Sequence, residues 1–404
     1  MYDLLHGLRV IEAASFVAGP TCGLQLLQYG AEVIRLDPLQ GAPDGRRWPV
    51  RDGRSLYWEG LNKGKKSVAI DLSNPEGREI AIALITAPGP DAGIFLTNSP
   101  PAGLFAHNVL EERRRDLISI RVAGWADGRP AMDYTVNASF GLPLMTGPVA
   151  APSGPTNHVL PAWDLLTGSY AATSLLAAER RRRFTGKGVE IRIPLGDIAI
   201  ATLANLGQVA EVSLGEDRLK YGNALFGAFG RDFVSADNVR LMIVAITPRQ
   251  WMSLVRSLDL APAIEELEKS TGASFESDEG ARFIHRDQLF RLVEAAVAAR
   301  LFADLRRVFD EKTVCWSVYR TLKEAIGDDF VMSPEYRLFS DKTHPSGFTY
   351  PTPGAPSRIS GLERMDSPCS PSFGEHTELV LADILGFSTR QIGHLRDKNI
   401  VGGP

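Results

Sequence analysis

The chain has 404 residues, 44% of them hydrophobic and 23% charged, with a formal net charge of -4. That length exceeds one compact core and predicts two domains, while the near-neutral balance excludes the broad basic field of a nucleic-acid binder. Cys22, Cys315 and Cys369 lie far apart without metal spacing, which suits a reducing compartment. The N-terminus, Met1-Tyr2-Asp3-Leu4-Leu5-His6-Gly7, lacks the basic and apolar regions of a secretory signal, and no apolar run reaches membrane-spanning length. The expectation is a cytoplasmic protein with no membrane or nucleic-acid partner.

In chain order, Leu8 to Ala13 is a short apolar strand, followed by a small-residue turn at Ala18-Gly19-Pro20 and a helical pattern through Leu24, Leu26 and Leu27. Gly30 closes that helix, and Ala31 to Leu36 is a second buried strand ending at Asp37. This strand–helix–strand unit predicts a parallel, Rossmann-like start. An acid at the end of the second strand is where a dinucleotide enzyme holds a ribose, which raises a nucleotide-dependent oxidoreductase as a rival. The first turn carries Gly19 and Gly23, however, not G-x-G-x-x-G. Residues 38–54 form a loop, and Leu61-Asn62-Lys63-Gly64-Lys65-Lys66-Ser67 leads into a third strand, Val68 to Leu72. Asn74-Pro75-Glu76-Gly77 starts a helix. Ala92 to Thr97 is a fourth strand leading to Asn98-Ser99-Pro100-Pro101, and Leu117 to Val122 a fifth. Asn62, Lys65 and Asn98 are either ligand contacts or solvated turn residues.

Residues 125–160 are rich in proline and glycine, and so long an irregular segment points to function. It ends in His158-Val159-Leu160-Pro161-Ala162-Trp163-Asp164, ahead of an alanine- and leucine-rich helix from Leu165 to Arg183. Asp164 is a candidate N-cap. The same place at the positive end of the helix dipole would keep its carboxylate ionised and nucleophilic. Gly168, one turn on, could admit a ligand close to the backbone. The basic run Arg180 to Arg183 suits the negative end of the helix, and Gly186 is a stop signal. A strand from Val189 to Ile193 and a helical run from Ile198 to Val212 follow. Beyond Gly222 come a hairpin at Asp237-Asn238 and helices bearing Trp251, Leu254 and Val255, then Leu289 to Val297. The seven histidines are scattered, so no metal site is expected, and no G-x-S-x-G elbow exists for a serine hydrolase.

Taken together the chain resembles the family III coenzyme A transferases nearly end to end. The resemblance rests on Gly7-Leu8-Arg9-Val10-Ile11-Glu12, Ala18-Gly19-Pro20, Gly30-Ala31-Glu32-Val33-Ile34-Arg35-Leu36, Asn62 to Ser67, Asn98-Ser99-Pro100, Asp164 with Gly168, Thr185-Gly186-Lys187-Gly188 and Gly374-Glu375-His376-Thr377. It implies that Asp164 attacks an acyl-CoA thioester to give a mixed anhydride, that the CoA thiolate then attacks the aspartyl carbonyl, and that a carboxylate takes over the resulting enzyme–CoA thioester. It places CoA contacts at Phe16, Val17 and Ala18, at Asn62, Lys63, Gly64 and Lys65, and at Asn98, Ser99 and Pro100. Tyr134 would face the thioester or sit in the core. No cofactor is implied beyond the CoA carried by the substrate. The chain departs from other branches at Val17 (glutamine elsewhere), Pro38 (arginine) and Met132 (lysine, or histidine in the racemases), and it lacks a glycine-run flap.

Asp133 to Asn137, Gly141 to Val149, Asn157 to Asp164, Tyr221-Gly222-Asn223 and Phe226 to Phe233 resemble a branch whose transfer is intramolecular. There CoA moves from the C1 to the C4 carboxyl of one branched unsaturated diacid, mesaconate, in the 3-hydroxypropionate carbon-fixation cycle. The carboxylate left charged needs a cationic or hydrogen-bonding partner, for which Arg231 and His158 are the candidates and Arg46 and Arg47 the competitors. Rivals are an intermolecular CoA transferase between two small carboxylic acids and a non-catalytic CoA-binding protein. The family fold implies an α/β protein: a large Rossmann-like domain from 1–200 and 321–404, a linker at 201–225, and a small α+β domain at 226–320. The open-ring chain would interlock with a second copy as a homodimer.

Overall fold

The computed structural model describes residues 1–151, 154–215, 217–328, 332–333 and 338–403. The chain divides into two compact units: Met1–Phe140 with His158–Leu214 and Met332–Pro404, and Gly141–Asn157 with Gly215–Val331. The second unit therefore starts earlier and ends later than 226–320, and it takes in 141–157. The expected linker carries helices instead, Leu195–Asn205 and Gln208–Leu214. Gly207, with φ +80°, breaks what the periodicity read as one helical run.

A seven-stranded sheet forms the first unit, in the order Val401–Gly402, Lys66–Ile70, Glu32–Asp37, Arg9–Ala13, Ile94–Thr97, Ile118–Ala123, Val189–Pro194. All pairings are parallel except that of Val401–Gly402 with Lys66–Ile70. The C-terminal segment thus closes a sheet begun at the N-terminus, giving the expected α/β architecture. Central strands such as Glu32–Asp37 read as apolar runs because helices cover both of their faces. From Arg9–Ala13 the chain adds strands on one side, then returns to place Ile94–Thr97 on the other, with Ala13 opposite Thr97. Strand order reverses at that pair, and the crevice beyond its carboxyl ends is where such sheets bind ligands. Asn98 bridges it, donating to the Ser15 carbonyl at 3.3 Å.

Two helices flank this crevice, Ala18–Gln28 and Ala162–Thr185. The small residues at Ala18-Gly19-Pro20 form the first turn of one helix, not a turn before it. Gly168 is where the two helices meet: a Cβ there would lie 2.6 Å from the Ala18 carbonyl oxygen and 2.7 Å from Thr21 Cβ. Protein backbone, not ligand, makes the close approach expected at Gly168. Gly168→Val should cost about 2 kcal/mol in a urea melt, and more if the helices cannot separate; unchanged stability would contradict this packing. Gly186 ends the long helix in the left-handed conformation, as expected, its N–H donating to the Arg182 carbonyl at 2.8 Å. Arg182, however, is buried and donates to the Ala92 and Gly93 carbonyls, so only part of the basic run is solvated.

The second unit has a three-stranded antiparallel sheet of Phe229–Val234, Arg240–Ala245 and Cys315–Val318. The hairpin expected at Asp237-Asn238 is there, with Asn238 at φ 61°. Phe229, Phe233, Trp251, Leu289 and Phe290 form its core with the helices. No helix among the described residues is long and apolar enough to cross a membrane.

Candidate active site

Asp164 lies in the first turn of Ala162–Thr185, and Pro161, which has no capping group, holds the cap position. The capping role expected of Asp164 falls to Asp133, the first residue of helix Asp133–Ser139. Asp133 Oδ2 accepts from the backbone N–H of Trp163 at 2.6 Å and of Asp164 at 3.1 Å. The Trp163 indole donates to Asn137 Oδ1 at 3.2 Å, so the short helix pins the start of the long one. These bonds also occupy two N–H groups that an oxyanion would otherwise use.

Asp164 is half-buried at a cavity of about 510 Å³ whose walls include Phe16, Arg47, Tyr57, Asn98, Met132 and Tyr134. Burial, and then the neighbouring Asp133 charge, push its carboxyl up to about 7, with Arg47 opposing them. This reverses the expectation that the helix dipole holds Asp164 ionised: the end of the dipole is already met by Asp133, and desolvation prevails. Burial raises the Tyr57 phenol to about 12, against Arg47 and with Asp164 adding to the rise, so Tyr57 is a neutral donor at pH 7. The Arg47 guanidinium lies 5.3 Å from the Tyr57 ring centre. Among the described residues, Asp133 Oδ1 and His158 Nε2 are buried without a hydrogen-bond partner. Such groups are rare in packed interiors, and Asp133 caps the turn that carries Asp164, which makes this cavity the candidate site.

Of the residues singled out in the sequence, Phe16, Val17, Ala18, Asn98, Tyr134 and Asp164 meet at this cavity. Phe16 adopts φ 72°, a strained conformation for a bulky side chain, and its N–H donates to Asp44 Oδ2 at 3.1 Å. Tyr134 is 40% exposed, not a core tyrosine, and its hydroxyl donates to the Val159 carbonyl at 3.2 Å. His158 stands beside Asp133, Nε2 to Oδ1 3.8 Å, with its ring 6.1 Å from that of Tyr134.

The other positions lie elsewhere. Asn62 and Lys65, each 1% exposed, are interior and not solvated. Lys65 Nζ donates to Glu12 (2.9 Å), the Pro20 carbonyl (3.0 Å) and Asn62 (3.0 Å), while Arg35 binds Asp37 (2.7 Å), Asp44 (2.8 Å) and Asn62 (3.0 Å). Asp37 also accepts from Ser67 Oγ at 2.7 Å, so the acid that suggested a ribose contact is consumed internally. Burial pushes the Lys63 amine down to about 8. Gly64 has φ +76° and room for no Cβ, with Pro368 Cγ at 2.6 Å. Ser99 and Pro100 turn their carbonyls to Arg121 at 2.5 and 2.9 Å. Arg231 belongs to the second unit, where it pairs with Glu294 at 3.2 Å and stacks 4.8 Å from the Phe233 and Phe290 ring centres. Sequence reasoning missed Asp133 and Tyr57. Asp133 is 31 positions from the N–H it caps, and no local pattern links them.

Residues 5–377 match the model of CoA-transferase family III. The chain belongs to that family. Its family III relatives include 2-methylfumaryl-CoA isomerase of Chloroflexus aurantiacus, 44% identical over 407 residues, covering 100% of this chain and 99% of that protein. Succinyl-CoA--D-citramalate CoA-transferase of the same organism is 26% identical, with 98% of each chain covered. Human succinyl-CoA:glutarate CoA-transferase is 24% identical, over 98% of this chain and 90% of that one. A CAIB/BAIF family protein from Brucella suis has the same fold, with a TM-score of 0.74, 25% identity, and 95% of this chain and all 100% of the other covered. Family III membership makes this chain an enzyme of CoA transfer, and it removes the oxidoreductase and the non-catalytic binder.

Proposed function

We propose that the enzyme moves CoA from the C1 to the C4 carboxyl of mesaconate, an intramolecular transfer through Asp164 in the 3-hydroxypropionate cycle. The observation that carries this reading is the 44% end-to-end identity with 2-methylfumaryl-CoA isomerase. Relatives named for transfer between two acids, one of them from the same organism as the isomerase, stand at 26% and 24%. Met132 on the cavity wall offers no titratable proton, which tells against a racemase.

Asp164 Oδ attacks the thioester carbonyl carbon, the C–S bond breaks, and the negative charge passes to the CoA sulfur. The thiolate next attacks the Asp164 carbonyl carbon of the anhydride, which releases the mesaconate C1 carboxylate and leaves an aspartyl–CoA thioester. The C4 carboxylate then attacks that thioester and the displaced thiolate takes the C4 acyl group, freeing Asp164. Throughout, a carboxylate of the diacid is charged and must stay in the cavity. Arg47 is the cation of the cavity wall and is assigned to hold it. Tyr57, a neutral phenol on the cavity wall beside Arg47, is assigned to donate to the tetrahedral oxyanions.

Mesaconyl-C1-CoA incubated alone should yield the C4 isomer at a rate that added succinate or mesaconate does not change, and hydroxylamine should trap an acyl group on Asp164. Turnover that needs an added acid would make the enzyme an intermolecular transferase. Arg47→Ala should lower kcat/KM about 100-fold, the worth of a hydrogen bond to a charged group, and should let unesterified mesaconate leak into solution. An unchanged kcat/KM would move that role to another residue. The reading extends to a homodimer of interlocked chains, for which light scattering should return twice the chain mass.

A further inference from the structure

We propose that Asp133 is a positioning residue whose fixed negative charge raises the free energy of ionised Asp164 relative to both of its acylated forms, and so favours the covalent intermediates. This rests on Asp164 being the nucleophile. Asp133 is 1% exposed, and its Oδ2 is held by the N–H groups of Trp163 and Asp164, the same helical turn that carries the nucleophile. The carboxylate cannot swing away without uncapping the helix. Asparagine presents an oxygen at the same place on its side chain, so accepting from the two N–H groups does not itself require a negative charge.

Asp164 faces Arg47 and Tyr57 as well as Asp133. His158 Nε2 lies 3.8 Å from Asp133 Oδ1, and both of those atoms lack a hydrogen-bond partner. Arg47 is exposed, so solvent and salt screen it, whereas Asp133 is buried and acts on Asp164 through protein. When Asp164 attacks a thioester its charge leaves with the sulfur, and the anhydride carries no charge on that side chain. The same holds for the aspartyl–CoA thioester. Repulsion from Asp133 therefore acts on the free enzyme and vanishes in each intermediate. It returns only when the last step regenerates the carboxylate. Asp133 is also the second cause, after burial, of the raised Asp164 carboxyl.

The test uses the full-length enzyme, and hydroxylamine trapping in the native protein first establishes the acyl group on Asp164; without it, the nucleophile assignment itself fails. Asp133→Asn and Asp133→Ser are then compared with the native enzyme for melting temperature, kcat/KM against pH, and the trapped fraction at saturating mesaconyl-C1-CoA. Asparagine keeps a neutral oxygen at the place of Oδ2 for the Trp163 and Asp164 N–H groups, and serine, one bond shorter, removes the charge with a weaker cap. The acid limb of kcat/KM should move about one pH unit lower and the trapped fraction should fall several-fold, at a melting temperature near the native one. A merely structural cap would leave both the limb and the trapped fraction where they are, and that result overturns the proposal. It is equally overturned if neither neutral cap folds, because the charge would then serve the fold.

Discussion

Asp164→Asn should lower turnover by about ten-thousandfold or more while stabilising the folded protein at pH 8. The loss follows from the chemistry: an amide oxygen is a poor nucleophile, and an amide carbonyl forms neither the anhydride nor the aspartyl–CoA thioester. The gain follows from the carboxyl being pushed from 3.8 to about 7 by burial and Asp133, against Arg47. Between those values the folded state binds the proton more tightly than the unfolded chain does. Stability is therefore lost as pH rises from about 4 to about 7, and the loss is complete above that. Asparagine escapes it, for a gain at pH 8 of at most about 4 kcal/mol, less whatever solvent at this half-buried group screens. At pH 4 both proteins carry a neutral side chain, and their urea midpoints should converge. In the native enzyme the same titration makes kcat/KM rise with pH through about 7. A variant that isomerises the thioester at the native rate, or is no more stable than native at pH 8, removes Asp164 from this role.

Lys65→Met should destabilise the protein by about 3–5 kcal/mol, the cost of leaving a buried charge without its partner. Lys65 Nζ binds both Glu12 oxygens at 2.9 Å, and without it Glu12, 0% exposed, keeps among the described residues the ion pair with Arg35 at 3.5 Å. Gly23 makes room for this pair: a Cβ there would lie 2.0 Å from Glu12 Oε2. A Glu12→Gln, Lys65→Met double variant should recover much of the loss, since the residues interact directly. The network reaches the site through Arg35, Asp44 and the Phe16 N–H, so some activity should fall with stability. Guanidinium melts check the first expectation. A Lys65→Met protein of native stability whose KM for acyl-CoA rises tenfold would assign Lys65 to CoA binding instead.

Local chemistry was enough to read much of the frame. Asn74 accepts from the Glu76 N–H at 2.9 Å, Gly186 stops the long helix and Asn238 turns the hairpin, each through bonds within a few residues. The Asn62 to Lys65 stretch was harder. Lysines beside a glycine read as a polar loop, and only strands brought together from distant parts of the chain, with Glu12 on one and Arg35 on the next, make them interior.

The amino-acid sequence by itself determined the parallel sheet and the family, and singled out Asp164 as a candidate, because apolar periodicity and motif order are written along the chain. Tertiary structure alone decided that Asp133 caps the helix that carries Asp164, that Arg47 and Tyr57 share a cavity with Asp164, and that its carboxyl sits near neutrality. Those properties come from burial and from charges on separate elements, which act through space and leave no trace in residue spacing.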